Sequence, residues 1–219
     1  MSRKSMAAEW AYEEAAEIFA TDLPYLKEIA TIGELVRQKE DLQIETRNAF
    51  DIDHPICKSR LWEWPFAGQF VHPLMNDQGP FRVLDVGCGY RPFTIWLRQM
   101  GHAVMAVDDA SWATVENMGM RLGLKGIGFV NADARRLPFK QNTFDYVFCI
   151  SVIEHLKSAT DVNRVVEECV RVARHSAIFT VDEAKVVEHL LPLNNARTDY
   201  VLNGNGARVA GIVFEGGAL

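Results

Sequence analysis

From residue 81 onward, short and nearly continuous apolar runs alternate with longer segments whose apolar residues recur every three or four positions. That pattern marks strands covered on both faces, separated by amphipathic helices. Arg82-Val83-Leu84-Asp85-Val86 predicts a first strand, closed by Gly87-Cys88-Gly89. A helix should follow: Pro92 suits its first turn, Phe93, Trp96, Leu97 and Met100 make its apolar face, and Gly101 can close it. Ala103 to Val107 predicts a second strand running into Asp108 and Asp109. The next helix has Ser111 in capping position and Val115, Met118 and Leu122 on one side. Ile127 to Val130 predicts a third strand ended by Asn131-Ala132-Asp133, and Phe144 to Ile150 a fourth. A stripe of Val162, Val165, Val166, Cys169, Val170 and Ala173 predicts the helix leading to a fifth strand, Ala177 to Val181.

Such alternation implies a parallel sheet with helices on both sides. The tail departs from it: Asp199 to Leu202 and Arg208 to Phe214 flank Asn203-Gly204-Asn205-Gly206, the pattern of a hairpin. The N-terminal part differs again. Ala11, Ala15, Ile18 and Phe19, then Leu26, Ile29, Ile32 and Val36 beyond Pro24, predict two helices between Ala7 and about Glu40. From Asp51 to Pro80, the prolines Pro55, Pro65, Pro73 and Pro80 preclude a long helix. Trp62, Trp64, Phe66 and Phe70 make the same stretch too apolar for a solvated linker, so it should pack against something. The expected architecture is an α/β, doubly wound core over residues 80–219, preceded by a helical and aromatic cap over residues 1–79.

With 219 residues, 48% of them apolar, the chain can build one full-sized α/β domain and a modest appendage. A formal net charge of -6 argues against a surface devoted to phosphate backbones, so no nucleic-acid partner is expected. Cys57, Cys88, Cys149 and Cys169 form no CxxC pair and have no zinc-finger spacing, as free thiols in a reducing compartment would. Glu9, Glu13, Glu14 and Glu17 interrupt any leader-like apolar core, and no stretch approaches the ~20 apolar residues of a membrane span. A soluble, cytoplasmic protein is expected; its oligomeric state is not legible.

In open α/β sheets ligands bind beyond the carboxyl ends of the strands. The first strand ends in Gly87 and Gly89, which let backbone turn sharply and approach a ligand. Asp108, after the second, stands where nucleotide-binding folds place the carboxylate that takes both ribose hydroxyls. Asp133, after the third, suits an adenine amino group. Glycine turns are common and an Asp at a strand end is often a helix cap, so a generic doubly wound domain stays open, but all three in register weigh against it.

These residues resemble the class I methyltransferases. Val83-Leu84-Asp85-Val86-Gly87-Cys88-Gly89 is similar to their first motif, Asp108 to their ribose-binding acid, and Asn131-Ala132-Asp133-Ala134 with Leu137-Pro138-Phe139 to their adenine loop. Phe144-Asp145-Tyr146-Val147 and Ser151-Val152-Ile153-Glu154-His155-Leu156 are similar to their fourth strand and its exit. The resemblance spans about Phe81 to Val181. It implies a Rossmann-like, seven-stranded, mostly parallel sheet completed by the C-terminal antiparallel hairpin, and S-adenosylmethionine as cofactor. By the same resemblance Asp85, Gly87, Cys88 and Gly89 hold the methionine end, Asp108 and Asp109 the ribose, Asp133 and Ala134 the adenine, and Ile150 and Ser151 line the pocket.

One departure stands out. Many members continue the turn as Gly-x-Gly-x-Gly, whereas this chain has Gly89-Tyr90-Arg91-Pro92. Arg91 at the third glycine position has three readings open: solvent, the cofactor carboxylate, or an anionic substrate. Pro92 where a dinucleotide fingerprint wants a free helix N-terminus disfavours a nicotinamide oxidoreductase. Methyl transfer from a sulfonium needs chiefly alignment, and a base only if the acceptor must lose a proton. His155, just past the fourth strand, is the candidate base and Glu154 its candidate partner; both could equally just begin a helix. The same Glu-His pair resembles one that, in quinone-pathway O-methyltransferases, joins another acid on a divalent metal; no third ligand is evident here, and no metal is expected. Arg60, Trp62 and Trp64, with Tyr90 and Arg91, are candidates to bind a small-molecule or carbohydrate acceptor, since Trp faces stack on sugars and Arg suits anions. The Trp-Glu-aromatic-Pro run also resembles methyltransferases encoded with glycan-building enzymes. A non-catalytic cofactor-binding scaffold is the alternative.

Overall fold

A computed structural model describes residues 63–72, 77–89, 92–109, 126–181, 190, 196–202 and 208–216. Its elements are α1 (Glu63–Gly68), β1 (Arg82–Val86), α2 (Pro92–Gln99), β2 (Ala103–Asp108), β3 (Ile127–Asn131), β4 (Phe144–Ile150), a 3-10 turn (Ile153–His155), α3 (Ala159–Val172), β5 (Ala173–Val181), β6 (Ala196–Leu202) and β7 (Arg208–Glu215). The helices predicted before residue 41 and after Asp109, and the hairpin turn at 203–206, lie outside the described residues.

The strands form one seven-stranded sheet in the order β3-β2-β1-β4-β5-β7-β6. β3 through β5 run parallel, and β7 joins β5 and β6 antiparallel. The order reverses between β1 and β4, which is where a doubly wound sheet is expected to bind a ligand, beyond the carboxyl ends of those two strands.

β4 explains why the pattern was readable. Its Phe148 and Ile150 belong to one apolar cluster, with Val83, Phe93, Ile95, Trp96, Ile178 and Val213. Its Val147 and Cys149 belong to a second, with Leu84, Val107, Val165, Val166, Cys169 and Phe179. A strand that feeds cores on both faces is apolar at nearly every position, here at all but Asp145, and each fully buried Val or Ile contributes ~1.5–3 kcal/mol. α3 covers the second face. Ser158 caps it by accepting from the Asp161 backbone N–H at 3.1 Å, and its Oγ–H donates to the Asp161 carboxylate at 2.9 Å.

Two boundaries differ from the periodicity. Ala173, assigned to the helical stripe, is the first residue of β5, which therefore starts four residues ahead of Ala177. Arg174 and His175 are exposed there, and their polarity hides a strand that still pairs with β4 and β7 through Ser176. β6 likewise begins at Ala196 rather than Asp199, paired to Phe214.

The described part of the aromatic stretch before the core, residues 63–72, does pack. α1 carries Pro65 in its first turn, where a proline's missing N–H is not needed. Trp64, Phe66, Ala67 and Val71 share the first cluster with β1, β4 and α2. Phe66 lies over a strand glycine: a Cβ on Gly211 would stand 2.4 Å from the phenyl ring. Among the described residues no helix is long and apolar enough to cross a membrane.

Candidate active site

The site is assembled by register. Val86 pairs with Val107 and Asp108 with Asn131, so β1, β2 and β3 release their chains at one level. The Gly87 and Cys88 N–H groups donate to the Val107 carbonyl at 2.7 and 3.2 Å, which folds the glycine turn back over the end of β2. Gly87 has φ +68° and Gly89 φ +50°, both in the left-handed region where a side chain is costly. The two glycines have different surroundings. A Cβ on Gly87 would stand 2.4 Å from a Val152 methyl, whereas one on Gly89 would meet nothing within 4 Å. Gly87 therefore admits the neighbouring loop, and Gly89 leaves open space of the kind a ligand uses.

Asp108 closes this turn from the other side: its carboxylate accepts the Gly89 N–H at 2.9 Å. Asp85, only 4% exposed, accepts from the Thr94 hydroxyl of α2. Cys88 is buried; burial first, then the nearby Asp85 and Asp108 carboxylates, push its thiol far above the usual range. It is thus an inert packing group, and any part in ligand binding falls to its backbone. Asp109 is exposed.

Beyond β3, Asp133 is exposed and held by Arg135. The guanidinium donates to both carboxylate oxygens, at 2.7 to 3.0 Å, and the Arg135 backbone N–H adds a bond of 2.8 Å. The guanidinium's hydrogen bonds, with help from the backbone bond and the positive charge, keep the Asp133 carboxyl below the usual carboxylate range against the opposing effect of burial. Arg135 also reaches Asp161 on α3, at 3.1 Å. Ala134 is half-buried beside them.

The exit of β4 supplies the remaining wall. Ile150 and Ser151 are buried, and Ser151 adopts φ +50°, a left-handed conformation rarely accepted without glycine. Its N–H donates to the Thr180 carbonyl and hydroxyl, both at 3.1 Å. Its hydroxyl donates to the Glu63 carboxyl at 2.5 Å. The 3-10 turn follows, pinned by buried Ile153, with Glu154 half-buried and His155 exposed.

The structure thus brings Asp85, Gly87, Cys88, Gly89, Asp108, Asp133, Ala134, Ile150, Ser151, Glu154 and His155 to one edge of the sheet. Trp64 is elsewhere in character: at 1% exposure it is a core residue of α1. Arg60, Trp62, Tyr90 and Arg91 lie outside the described residues. Among those described, no three His, Cys, Asp or Glu side chains gather as a metal site. Glu63, Thr94, Arg135 and Thr180 were not read from the sequence. Thr94 sits nine residues beyond Asp85 on the next helix, a spacing that offered a clue. Glu63 is 88 residues from Ser151 and offered none.

A glycine turn, an acid closing it and a second acid one strand over lie at the switch point of a 3-2-1-4-5-7-6, Rossmann-like sheet. Residues 84–181 match the family model described as a methyltransferase domain. Among named relatives, it is 30% identical over 121 residues to the ubiquinone/menaquinone biosynthesis C-methyltransferase UbiE of Pseudomonas paraeruginosa, covering 52% of this chain and 44% of that protein. It is 29% identical over 140 residues to the methyltransferase GfsG of Streptomyces halstedii, covering 58% and 50%. The match thus spans about half the length of these curated relatives. The magnesium protoporphyrin IX methyltransferase ChlM of Synechocystis PCC 6803, solved with bound S-adenosylmethionine, superposes with a TM-score of 0.56 at 16% identity, over 90% of this chain and 97% of that one.

Proposed function

We propose that this protein transfers a methyl group from S-adenosylmethionine to a hydroxyl of a small molecule or sugar. The observation that carries the reading is the Gly89–Asp108 hydrogen bond beside an open turn, because it brings a carboxylate up to glycine backbone that has open space next to it.

The residues present fit the cofactor. The backbone at Gly87 to Gly89 suits its methionine end, Asp108 its ribose hydroxyls, and Asp133 with Ala134 its adenine. When bound, it supplies an electrophilic methyl whose carbon–sulfur bond breaks as the acceptor–carbon bond forms, leaving S-adenosylhomocysteine. The chain's own part is alignment, exclusion of water by the buried walls Ile150 and Ser151, and removal of the acceptor's proton. His155 is the base we assign to that proton: it is exposed at the exit of β4, on a short turn anchored by Ile153. Arg60, Trp62, Tyr90 and Arg91 are assigned to the acceptor side.

The relatives leave several acceptors in play, a C-methyltransferase and a porphyrin methyltransferase among them. The test is therefore a panel. Methyl-labelled cofactor is incubated with hydroxyl-bearing sugars and phenols and with carbon acids, using intact protein and His155→Ala. Transfer to a hydroxyl that falls at least ~100-fold in the variant supports the reading, in line with the usual contribution of a general base. Transfer only to carbon, or full activity without His155, refutes the acceptor class or the base respectively. Cofactor binding with no transfer to any acceptor would favour a scaffold.

A further inference from the structure

Glu63 has no part in the assignments above, yet it is the most deeply buried acid among the described residues, 1% exposed at the start of α1. An apolar residue would dock that helix at least as well, since burying a carboxyl forfeits its hydration. Phe66, Ala67 and Val71 already supply the apolar contact. What the carboxyl adds is directional: it accepts the Ser151 hydroxyl at 2.5 Å.

Ser151 is where the β4 exit is set. Its left-handed backbone, φ +50°, is unfavourable for a residue with a Cβ and persists only where the surroundings over-determine it. Here three bonds do so: N–H to the Thr180 carbonyl and hydroxyl from β5, and Oγ–H to Glu63 from α1. The next residue, Val152, fills the space that the missing side chain of Gly87 leaves. One residue further begins the turn with Glu154 and His155.

We propose that Glu63 is a positioning residue: by holding the Ser151 hydroxyl it keeps the β4 exit in its left-handed bend, and through Val152 it seats that exit against the glycine turn. The segment before the core thereby sets the shape of the cleft without touching its contents. The proposal rests on reading the β1/β4 crevice as the cofactor cleft.

Hydrogen exchange and calorimetry separate the two. In the ligand-free protein, Glu63→Ala should speed amide exchange in peptides covering 86–89 and 150–156 by about tenfold, the usual effect of losing one buried bond to a carboxyl. Glu63→Gln, whose amide oxygen still accepts and whose volume is the same, should stay within about threefold of the wild type. Affinity for S-adenosylhomocysteine should follow the same order, weakened about tenfold by Ala and largely restored by Gln. Faster exchange confined to 63–72, with unchanged affinity, would reduce Glu63 to an anchor of α1 and overturn the proposal. So would a Gln variant as impaired as Ala. A wild type that fails to bind S-adenosylhomocysteine would refute the cleft assignment, while the exchange data would still decide the clamp.

Discussion

The two glycines of the turn after β1 should fail differently when given a methyl group. Both have positive φ, so Ala at either carries the left-handed penalty of ~1–2 kcal/mol. At Gly89 nothing else is met within 4 Å. At Gly87 the new Cβ stands 2.4 and 3.0 Å from the two Val152 methyls and 3.3 Å from its Cβ, far inside van der Waals contact. Relieving that overlap adds ~1–3 kcal/mol. Gly87→Ala should therefore lose ~2–5 kcal/mol, a large share of the ~5–15 kcal/mol of a typical domain. Gly89→Ala should lose only the smaller amount. Urea unfolding of both variants gives the comparison, and Val152→Ala supplies the control. With the methyls removed, the double variant should recover ~1–2 kcal/mol relative to additivity, because the residues touch. Binding should invert the ranking per unit of stability lost: Gly89→Ala puts its methyl into the open space and should weaken S-adenosylhomocysteine about tenfold or more while the fold stays nearly intact. Equal destabilisation by the two substitutions, or no coupling to Val152, would refute this account of the turn.

Acid should expose His102. Burial, with a smaller effect of the nearby His72, holds its imidazole below the usual value against an opposing effect of the Val71 backbone, and its Nδ1 accepts the Phe81 N–H at 3.2 Å. The unfolded chain then takes this proton first, so the stability linked to His102 is complete above about pH 6.5 and falls as pH drops from there toward the folded value. His102→Asn keeps an acceptor for Phe81 but cannot titrate; its urea midpoint should fall less between pH 7.5 and 5.5 (about two units) than that of the wild type, and parallel slopes would remove His102 as the cause. At Asp133 the sign is also fixed: a lowered carboxyl means that the contribution of its pair with Arg135 is present above the usual carboxylate range, near pH 4, and lost as pH falls through the lower folded value. Arg135→Ala should move the Asp133 carboxyl resonance titration up toward the ordinary range. An unmoved titration would show that the backbone bond alone holds it.

How much was legible follows from where each signal resides. β1, β4 and the turn between β1 and α2 were readable because burial on both faces and positive φ leave few alternatives to apolar runs and glycine. Asp108 was readable because its position is local to a strand end. The start of β5 was hidden, since Arg174 and His175 are solvated at the sheet's outer end while their backbone still pairs. Trp64 was considered for acceptor contact because an aromatic side chain suits a ring ligand and a core equally well; its 1% exposure places it in the core. Glu63 and Arg135 act through contacts that no spacing announces, the first across 88 residues and the second by competing for an acid already given another partner.

The most direct test of the central claim is calorimetric titration of the intact protein, and of Asp108→Ala, with S-adenosylmethionine and S-adenosylhomocysteine. Micromolar binding to the intact protein, weakened ~30-fold or more when the carboxylate that faces the glycine turn is removed, is the predicted result, since hydrogen bonds to a charged group contribute ~1.5–3 kcal/mol each. No binding by the intact protein, or equal binding by the variant, would contradict the claim that the β1/β4 crevice holds this cofactor.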